Sequence, residues 1–203
     1  MRLASAILAV GLVYATGSHF GDSPLGVPTA AASTFVELTV ADLVSGSMYV
    51  VCGTPQDRMS VWEDSDGARG RRIVSYTRVR VDQVVDGAPA AEIWVRTLGG
   101  TVGDLGQRVE GEAVLAPGQP ALMFLAARQD GTHSVVGMSQ GHFPLEAAVG
   151  EPMKVSASRV SARLVPRLGN APLVAPARLD LPGRTVDEVR TLVASLRHAN
   201  VTH

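Results

Sequence analysis

The sequence predicts a mainly β protein in which short strands form a closed or nearly closed antiparallel barrel, with a short N-terminal helix and a C-terminal amphipathic helix. Two observations support this prediction. Apolar and polar residues alternate within several short segments, as in half-buried strands, and glycine-containing turns separate these segments at regular intervals. The chain has 203 residues and is 46% hydrophobic, which suits one globular domain with its own core.

Four segments carry the strand pattern. YVVCG followed by RMSVWED predicts either a hairpin or one long bent strand. RRIVSYTRVRVDQVVDG alternates most clearly and ends in an Asp-Gly turn, and AEIWVRTLGG alternates in the same way. PALMFLAARQDGTHSVVG predicts a buried strand, a second Asp-Gly turn and a returning strand.

Capping residues predict the two helices. Thr39 with Asp42 resembles a capping box before a short helix that should end near Gly46. Thr185 with Glu188 forms a full capping box for the C-terminal helix. An apolar stripe on this helix should dock on the barrel, and it consists of Val186, Val189, Leu192, Val193 and Leu196.

The N-terminus has the pattern of a signal peptide. Arg2 precedes an uncharged apolar run at residues 3–15, which is shorter than the roughly 20 residues of a membrane-spanning helix. The alanines at 30–32 predict cleavage that leaves Ser33 first, while cleavage after Gly17 and an uncleaved tether remain alternatives. We expect a secreted, periplasmic or cell-envelope protein without stable membrane insertion.

Changes in composition divide the chain into four predicted parts. After the barrel, VSASRVSARLV can supply one more strand, and a proline-rich segment follows it. The parts are a signal peptide at 1–32, a barrel domain at 33–150, an extra strand and proline-rich connector at 151–183, and a C-terminal helix at 184–203.

Charge and cysteine content restrict the partners. With 18 Lys+Arg against 19 Asp+Glu the formal charge is −1, so the chain has no basic field to attract nucleic acid. Cys52 is the single cysteine and lies in an apolar run, so we expect a small buried hydrophobe rather than a disulfide, a reactive thiol or a metal ligand. The sequence indicates no cofactor and no metal site.

A glycine-rich segment at residues 97–111 resembles phosphate-binding loops in composition. Its spacing matches neither of the two common nucleotide-binding motifs, and the residues after it show no helical pattern that could present amides to an anion. We interpret its glycines as turn and close-approach positions within the barrel. They are Gly99, Gly100, Gly103, Gly106 and Gly111.

The segment GMSQG matches the serine nucleophile elbow around Ser139. The elbow needs a helix directly after the serine, whereas HFPLE follows here. Asp187 and His198 could complete a triad in chain order, but both fall on the C-terminal helix about three turns apart. The histidines lack the spacing of metal ligands, and we expect them to be solvated. The acidic segment EDSDG is interpreted as a charged hairpin tip.

Aromatic residues on two predicted strands are candidates for a recognition surface. Tyr76 and Trp94 lie in the polar phase of their strands and are expected to be partly exposed. The arginines of the same phase, also expected to be exposed, are Arg78, Arg80 and Arg96. With the glycine-rich segment, the candidate binding residues are Tyr76, Trp94, Gly99, Gly100 and Gly103.

The order of YVVCGTP, IVSYTRVRVDQVVDG, IWVRTLGGTVGDLGQRVEG and LAPGQPALMFLAARQDGTHSVVGMSQGHFPL within residues 37–146 resembles a group of exported bacterial proteins of unassigned activity. More distantly, YTRVRVDQVVDG and PGQPALMFLA are similar to the netrin-like modules of tissue metalloprotease inhibitors. That resemblance implies an OB-like barrel of five strands with flanking helices. Those inhibitors use an N-terminal cysteine and disulfides, whereas this chain has Ser33 at its predicted mature start, so their zinc-chelating mechanism does not carry over.

The sequence therefore predicts a secreted, non-enzymatic barrel that binds a protein or an envelope component. The netrin-like resemblance implies an alternative, a modulator of a secreted metalloprotease. A weak serine hydrolase at Ser139 is the remaining alternative. The oligomeric state is not predicted.

Overall fold

A computed structural model describes residues 34–64, 70–159, 163–165 and 181–201. The predicted signal peptide and most of the proline-rich connector lie outside these residues. The described chain is mainly β, as predicted. Its strands are β1 (Thr34–Val36), β2 (Tyr49–Asp64), β3 (Arg71–Asp86), β4 (Glu92–Leu98), β5 (Gly100–Val102), β6 (Leu105–Gln107), β7 (Ala121–Ala127), β8 (His133–Val135), β9 (His142–Glu146), β10 (Lys154–Val155) and β11 (Arg163–Val165). Its α-helices are α1 (Val40–Gly46) and α2 (Val186–Val201), and a 3₁₀-helix spans Met138–Gly141.

Five strands close into a ring, which confirms the predicted barrel. β2 pairs with β3 and β7, β3 pairs with β4, and β7 pairs with β8, all antiparallel. The ring closes between β4 and β8, where Val95 lies opposite His133 in a parallel pair. A ring with an odd number of strands cannot alternate in direction at every step, so one neighbouring pair has to be parallel.

β2 is one long bent strand, which decides between the two alternatives left open by the sequence. It has 16 residues, and its register with β3 shifts between Val50 and Val51, between Cys52 and Gly53, and between Pro55 and Arg58. Such irregularities bend a strand and increase its twist. As a result, the first part of β2 pairs with both β3 and β7, whereas residues 58–64 pair with β3 alone.

Two apolar clusters lie on opposite faces of β7. Met123 and Leu125 belong to a cluster with Val95 of β4 inside the ring. Leu122 and Phe124 point to the opposite face and pack in a second cluster with α1, α2 and β9. Because both faces of β7 are covered, its sequence is a continuous apolar run instead of an alternation of apolar and polar residues.

Both predicted capping boxes are present. At α1 the Asp42 backbone N–H donates to Thr39 Oγ1 at 3.1 Å, and the Thr39 N–H donates to the Asp42 carboxylate at 2.9 Å. At α2 the Thr185 N–H donates to the Glu188 carboxylate at 2.7 Å. The predicted stripe of α2 is docked on the second cluster, with Val189 and Val193 fully buried. Among the described helices, none is both long and apolar enough to cross a membrane.

Candidate functional site

The structure places the predicted site residues on opposite sides of one sheet. Successive residues of a strand point to opposite faces, so Ser75 and Tyr76 of β3 face opposite ways. Ser75 faces the glycine-rich segment, because its Oγ donates a hydrogen bond to the Gly99 carbonyl oxygen at 2.7 Å. Trp94 of β4 lies opposite Arg78 of β3. Because Arg78 is two positions from Tyr76, Trp94 and Tyr76 are on the same face. The five candidate residues therefore do not form a single site.

The outer sheet face is the side that carries the aromatic candidates. The register places Met59 of β2 and Arg96 of β4 on either side of Tyr76. Glu63 joins this face through its hydrogen bonds to Tyr76 and Arg96. We define the outer sheet face as Met59, Glu63, Tyr76, Arg78, Trp94 and Arg96.

The expectation that Arg96 is exposed is wrong, because its side chain is only 6% exposed. Its guanidinium donates from both Nε and Nη2 to the two carboxylate oxygens of Glu63, and the Nε contact measures 3.2 Å. Tyr76 donates its phenolic O–H to the same carboxylate. This bidentate pairing neutralises the guanidinium where water is largely excluded, which makes its burial tolerable. Arg78 and Arg80 are half-buried and exposed, respectively.

The shared carboxylate changes the acidity of both partners. Hydrogen bonding from Arg96 lowers the pKa of Glu63, against the opposing effect of burial. The hydrogen bond to Glu63 raises the pKa of the Tyr76 phenol. The sequence predicts that Glu63 belongs to a charged hairpin tip, whereas the structure places it at the end of β2, bonded to Tyr76 and Arg96. Asp66 of the same segment lies outside the described residues.

Trp94 is the aromatic candidate that remains open to solvent, with 41% of its surface exposed. Its neighbour Arg78 forms ion pairs with Asp57 and with Glu92. Met59, at 54% exposure, adds a second apolar side chain to the same face. The outer sheet face therefore combines exposed apolar surface with arginines whose charges are already matched by carboxylates.

The glycine-rich segment folds back on the sheet as a small β5–β6 hairpin. Gly99 and Gly100 have φ values of +86° and +141°, and a Cβ at Gly99 would lie 2.6 Å from the Gln107 carbonyl oxygen. A Cβ at Gly100 would overlap the hydroxyl oxygens of Ser60 and Ser75. These contacts confirm the close-approach interpretation for both residues. Gly103 differs, because it has φ +58° at the hairpin turn and open space around it.

A groove runs beneath this hairpin. One cavity of about 350 Å³ is lined by Arg58, Gly100, Arg108 and Glu112, among other residues. A second cavity of about 500 Å³ shares Arg108, Glu112 and Val114 with the first. We call the two together the loop groove. Its lining goes beyond the glycines that the sequence singled out. It includes Arg58 in the first cavity and His142 and Arg159 in the second.

Ser139 is buried, whereas a nucleophile elbow exposes its serine. It lies in the 3₁₀-helix after β8 and is 3% exposed, whereas the elbow holds its serine open above a sheet. Within the described residues its Oγ has no hydrogen-bond partner, and so it contacts no histidine in that way. Asp187 is exposed on α2 and forms an ion pair with Arg190.

Cys52 is buried, as predicted, and it forms no disulfide. Desolvation by burial raises the pKa of its thiol to about 12, so the thiol stays protonated and unreactive at neutral pH. In the part of the chain that the structure describes, no group of three or more His, Cys, Asp or Glu side chains is arranged to hold a metal ion.

His142 is a half-buried residue, contrary to the expectation that the histidines are solvated. Burial, aided by the charge of Arg159, lowers its pKa to about 4. Since the unfolded state takes up the proton first as the pH falls below about 6.5, we expect stability to decrease between about pH 6.5 and 4. His142→Gln should reduce this decrease. NMR titration of the imidazole and urea unfolding at pH 7.5 and 5 test the prediction, and a titration midpoint near 6.5 would contradict it.

Comparison with protein-family models gave no match, and no curated protein proved significantly similar to the chain.

Proposed function

We propose that the chain is an exported, non-enzymatic binding protein that recognises a partner protein through the outer sheet face. The observation that carries this proposal is the exposure of Trp94 and Met59 beside the ordered Tyr76, Glu63 and Arg96 group. Tryptophan, tyrosine, methionine and arginine are the residues most enriched at protein interfaces. An exposed apolar patch rimmed by polar residues is one mark of a protein–protein contact surface.

The ion pairs favour a protein partner over a nucleic acid. Arg78 and Arg96 are each paired with carboxylates, so neither presents an unpaired charge to phosphates. Tyr76, Glu63 and Arg96 are also held in place by their hydrogen bonds to each other, which lowers the entropy lost when a partner binds. β3 and β4 are the second and third strands of the ring, and in OB-type barrels the face of the second and third strands is a ligand-binding surface.

Export is the second half of the proposal and rests on the signal-like pattern of residues 1–32. N-terminal sequencing of the protein from the producing cell's envelope and secreted fractions tests it. A first residue of Ser33 supports the proposed route. A full-length chain confined to the cytoplasm would contradict it.

Trp94→Ala should abolish capture of the partner while leaving the fold intact. Truncating a central interface tryptophan commonly weakens binding by about 2 kcal/mol or more, which corresponds to roughly thirtyfold. The full chain, tagged at its C-terminus, would be used to capture proteins from secreted and envelope fractions, and the affinity of any captured protein would then be measured.

Val84→Ala serves as the matched control, because Val84 is also on β3 and is 40% exposed, but it is not part of the outer sheet face. The proposal requires a partner that the wild type and Val84→Ala both bind and that Trp94→Ala loses. A partner retained equally by all three proteins would contradict the assignment of this face.

A further inference from the structure

Three arginines that line the loop groove have no carboxylate partner among the described residues. Seven arginines outside the groove lie within 4.0 Å of a carboxylate oxygen: Arg71, Arg78, Arg80, Arg96, Arg128, Arg190 and Arg197. Within the described residues, Arg58, Arg108 and Arg159 have no such partner, and all three line the groove. Arg72 of β3 has none either, but it lies outside the groove. Three arginines without a carboxylate partner therefore line two cavities that share Arg108, Glu112 and Val114.

A hydrogen bond orients the Arg58 side chain for binding an anion. Its Nη2 donates to Ser75 Oγ at 2.8 Å, and that hydroxyl also contacts Ser60 Oγ at 2.8 Å. A guanidinium carries five N–H donors in a rigid fork, so this contact orients the group and leaves other donors available. An oriented guanidinium is suited to a bidentate bond with a carboxylate.

Glu112 is the carboxylate that lines the same groove, and its oxygens are occupied by the backbone. They accept hydrogen bonds from the N–H groups of Leu98 and Ala113, each at 3.0 Å. Burial also raises the pKa of Glu112, which disfavours its negative form. The three arginines outnumber this one carboxylate, so the described lining of the groove is net positive even with Glu112 ionised.

The lining of the groove favours a peptide among anionic ligands. Its walls carry Val109, Ala113 and Val114, the last of which is 70% exposed. Among its described lining residues there is no phenylalanine, tyrosine or tryptophan on which a sugar ring or a base could stack. Arginines beside apolar side chains suit a peptide that carries both acidic and apolar side chains.

We infer that the loop groove binds an extended acidic peptide segment of a partner protein, with Arg58, Arg108 and Arg159 contacting its carboxylates. This site is on the opposite side of the sheet from the outer sheet face, and it does not depend on Trp94. The two sites can therefore succeed or fail separately.

A fluorescein-labelled decapeptide of alternating glutamate and valine, added to the full chain, provides the test by fluorescence anisotropy. We expect saturable binding that weakens as salt is raised, and about tenfold weaker binding for Arg108→Gln, since a charge-assisted hydrogen bond is lost. Arg108 makes no side-chain hydrogen bond within the described structure, so this variant should fold normally. Arg58→Gln should weaken binding to a similar extent.

Arg128→Gln is the matched control, because Arg128 is a surface arginine of the β7–β8 turn that is paired with Asp130. It should bind the peptide like the wild type, as should Trp94→Ala, and a glutamine–valine decapeptide should not bind. Wild-type affinity in Arg108→Gln would overturn the inference. Tighter, Arg108-dependent binding of oligogalacturonate than of the peptide would also overturn it, in favour of an acidic polysaccharide.

Discussion

Gly100→Ala should lower the free energy of unfolding by about 3 kcal/mol, the sum of a steric and a backbone contribution. The new methyl group would overlap the hydroxyl oxygens of Ser60 and Ser75. Those hydroxyls cannot turn away freely, because Ser75 also bonds to Arg58 and to the Gly99 carbonyl oxygen. The φ value of +141° is in addition unfavourable for any residue with a Cβ. Urea unfolding followed by tryptophan fluorescence measures the loss.

Gly103→Ala separates the two contributions. Gly103 has a positive φ of +58° in the same hairpin, but a Cβ there would meet no atom within 4 Å. Its substitution should therefore carry the backbone penalty alone, about 1 kcal/mol. Equal stability of the two alanine variants would show that the hairpin does not pack against Ser60 and Ser75 in the way described.

Glu63→Gln should lower the free energy of unfolding by about 2 kcal/mol at pH 7, because the largely buried Arg96 guanidinium would keep its charge without a carboxylate partner. We place the effect below that of a fully buried pair, since Glu63 itself is partly exposed. The same substitution should return the pKa of Tyr76 toward its usual value near 10, which ultraviolet absorbance of the phenolate detects.

The pH dependence of stability should change in the same variant. The pKa of Glu63 is lowered in the folded state, so its stabilising contribution is complete above the usual glutamate pKa, near 4.5, and is lost as the pH falls through the folded value. Glu63→Gln should lack this part of the acid-induced decrease. Glu92→Gln is the control, because Glu92 pairs with Arg78 in an exposed position and should matter little. Equal stability of the two variants, with unchanged Tyr76 titration, would contradict the proposed network.

Several features followed from residues close together in the chain. The two capping boxes predicted where α1 and α2 begin, since their bonds join residues three positions apart. The apolar run ALMFLAA predicted a strand covered on both sides, which β7 is. The glycine-rich segment was also interpreted correctly at Gly99 and Gly100, because the missing helix after it could be recognised from the sequence alone.

The long-range features could not be predicted in this way. The alternation of its strand predicts that Arg96 is exposed, whereas its burial depends on Glu63, 33 positions earlier. The grouping of Arg58, Arg108 and Arg159 joins residues that are separated by more than 100 positions in total. No local pattern indicates either set, because each depends on which strands become neighbours.

By itself, then, the sequence determined the main barrel strands, their turns, the helix starts and the barrel class, since these depend on periodicity and capping over a few residues. It did not indicate the short strands β1, β5 and β6. The tertiary structure alone decided that the aromatic candidates and the glycine-rich segment lie on opposite faces, and which charges meet. The physical reason is register: side chains alternate faces at every residue, and each irregularity in β2 changes which residues of β3 it opposes. The surface that a residue finally faces is therefore fixed by the pairing of distant strands.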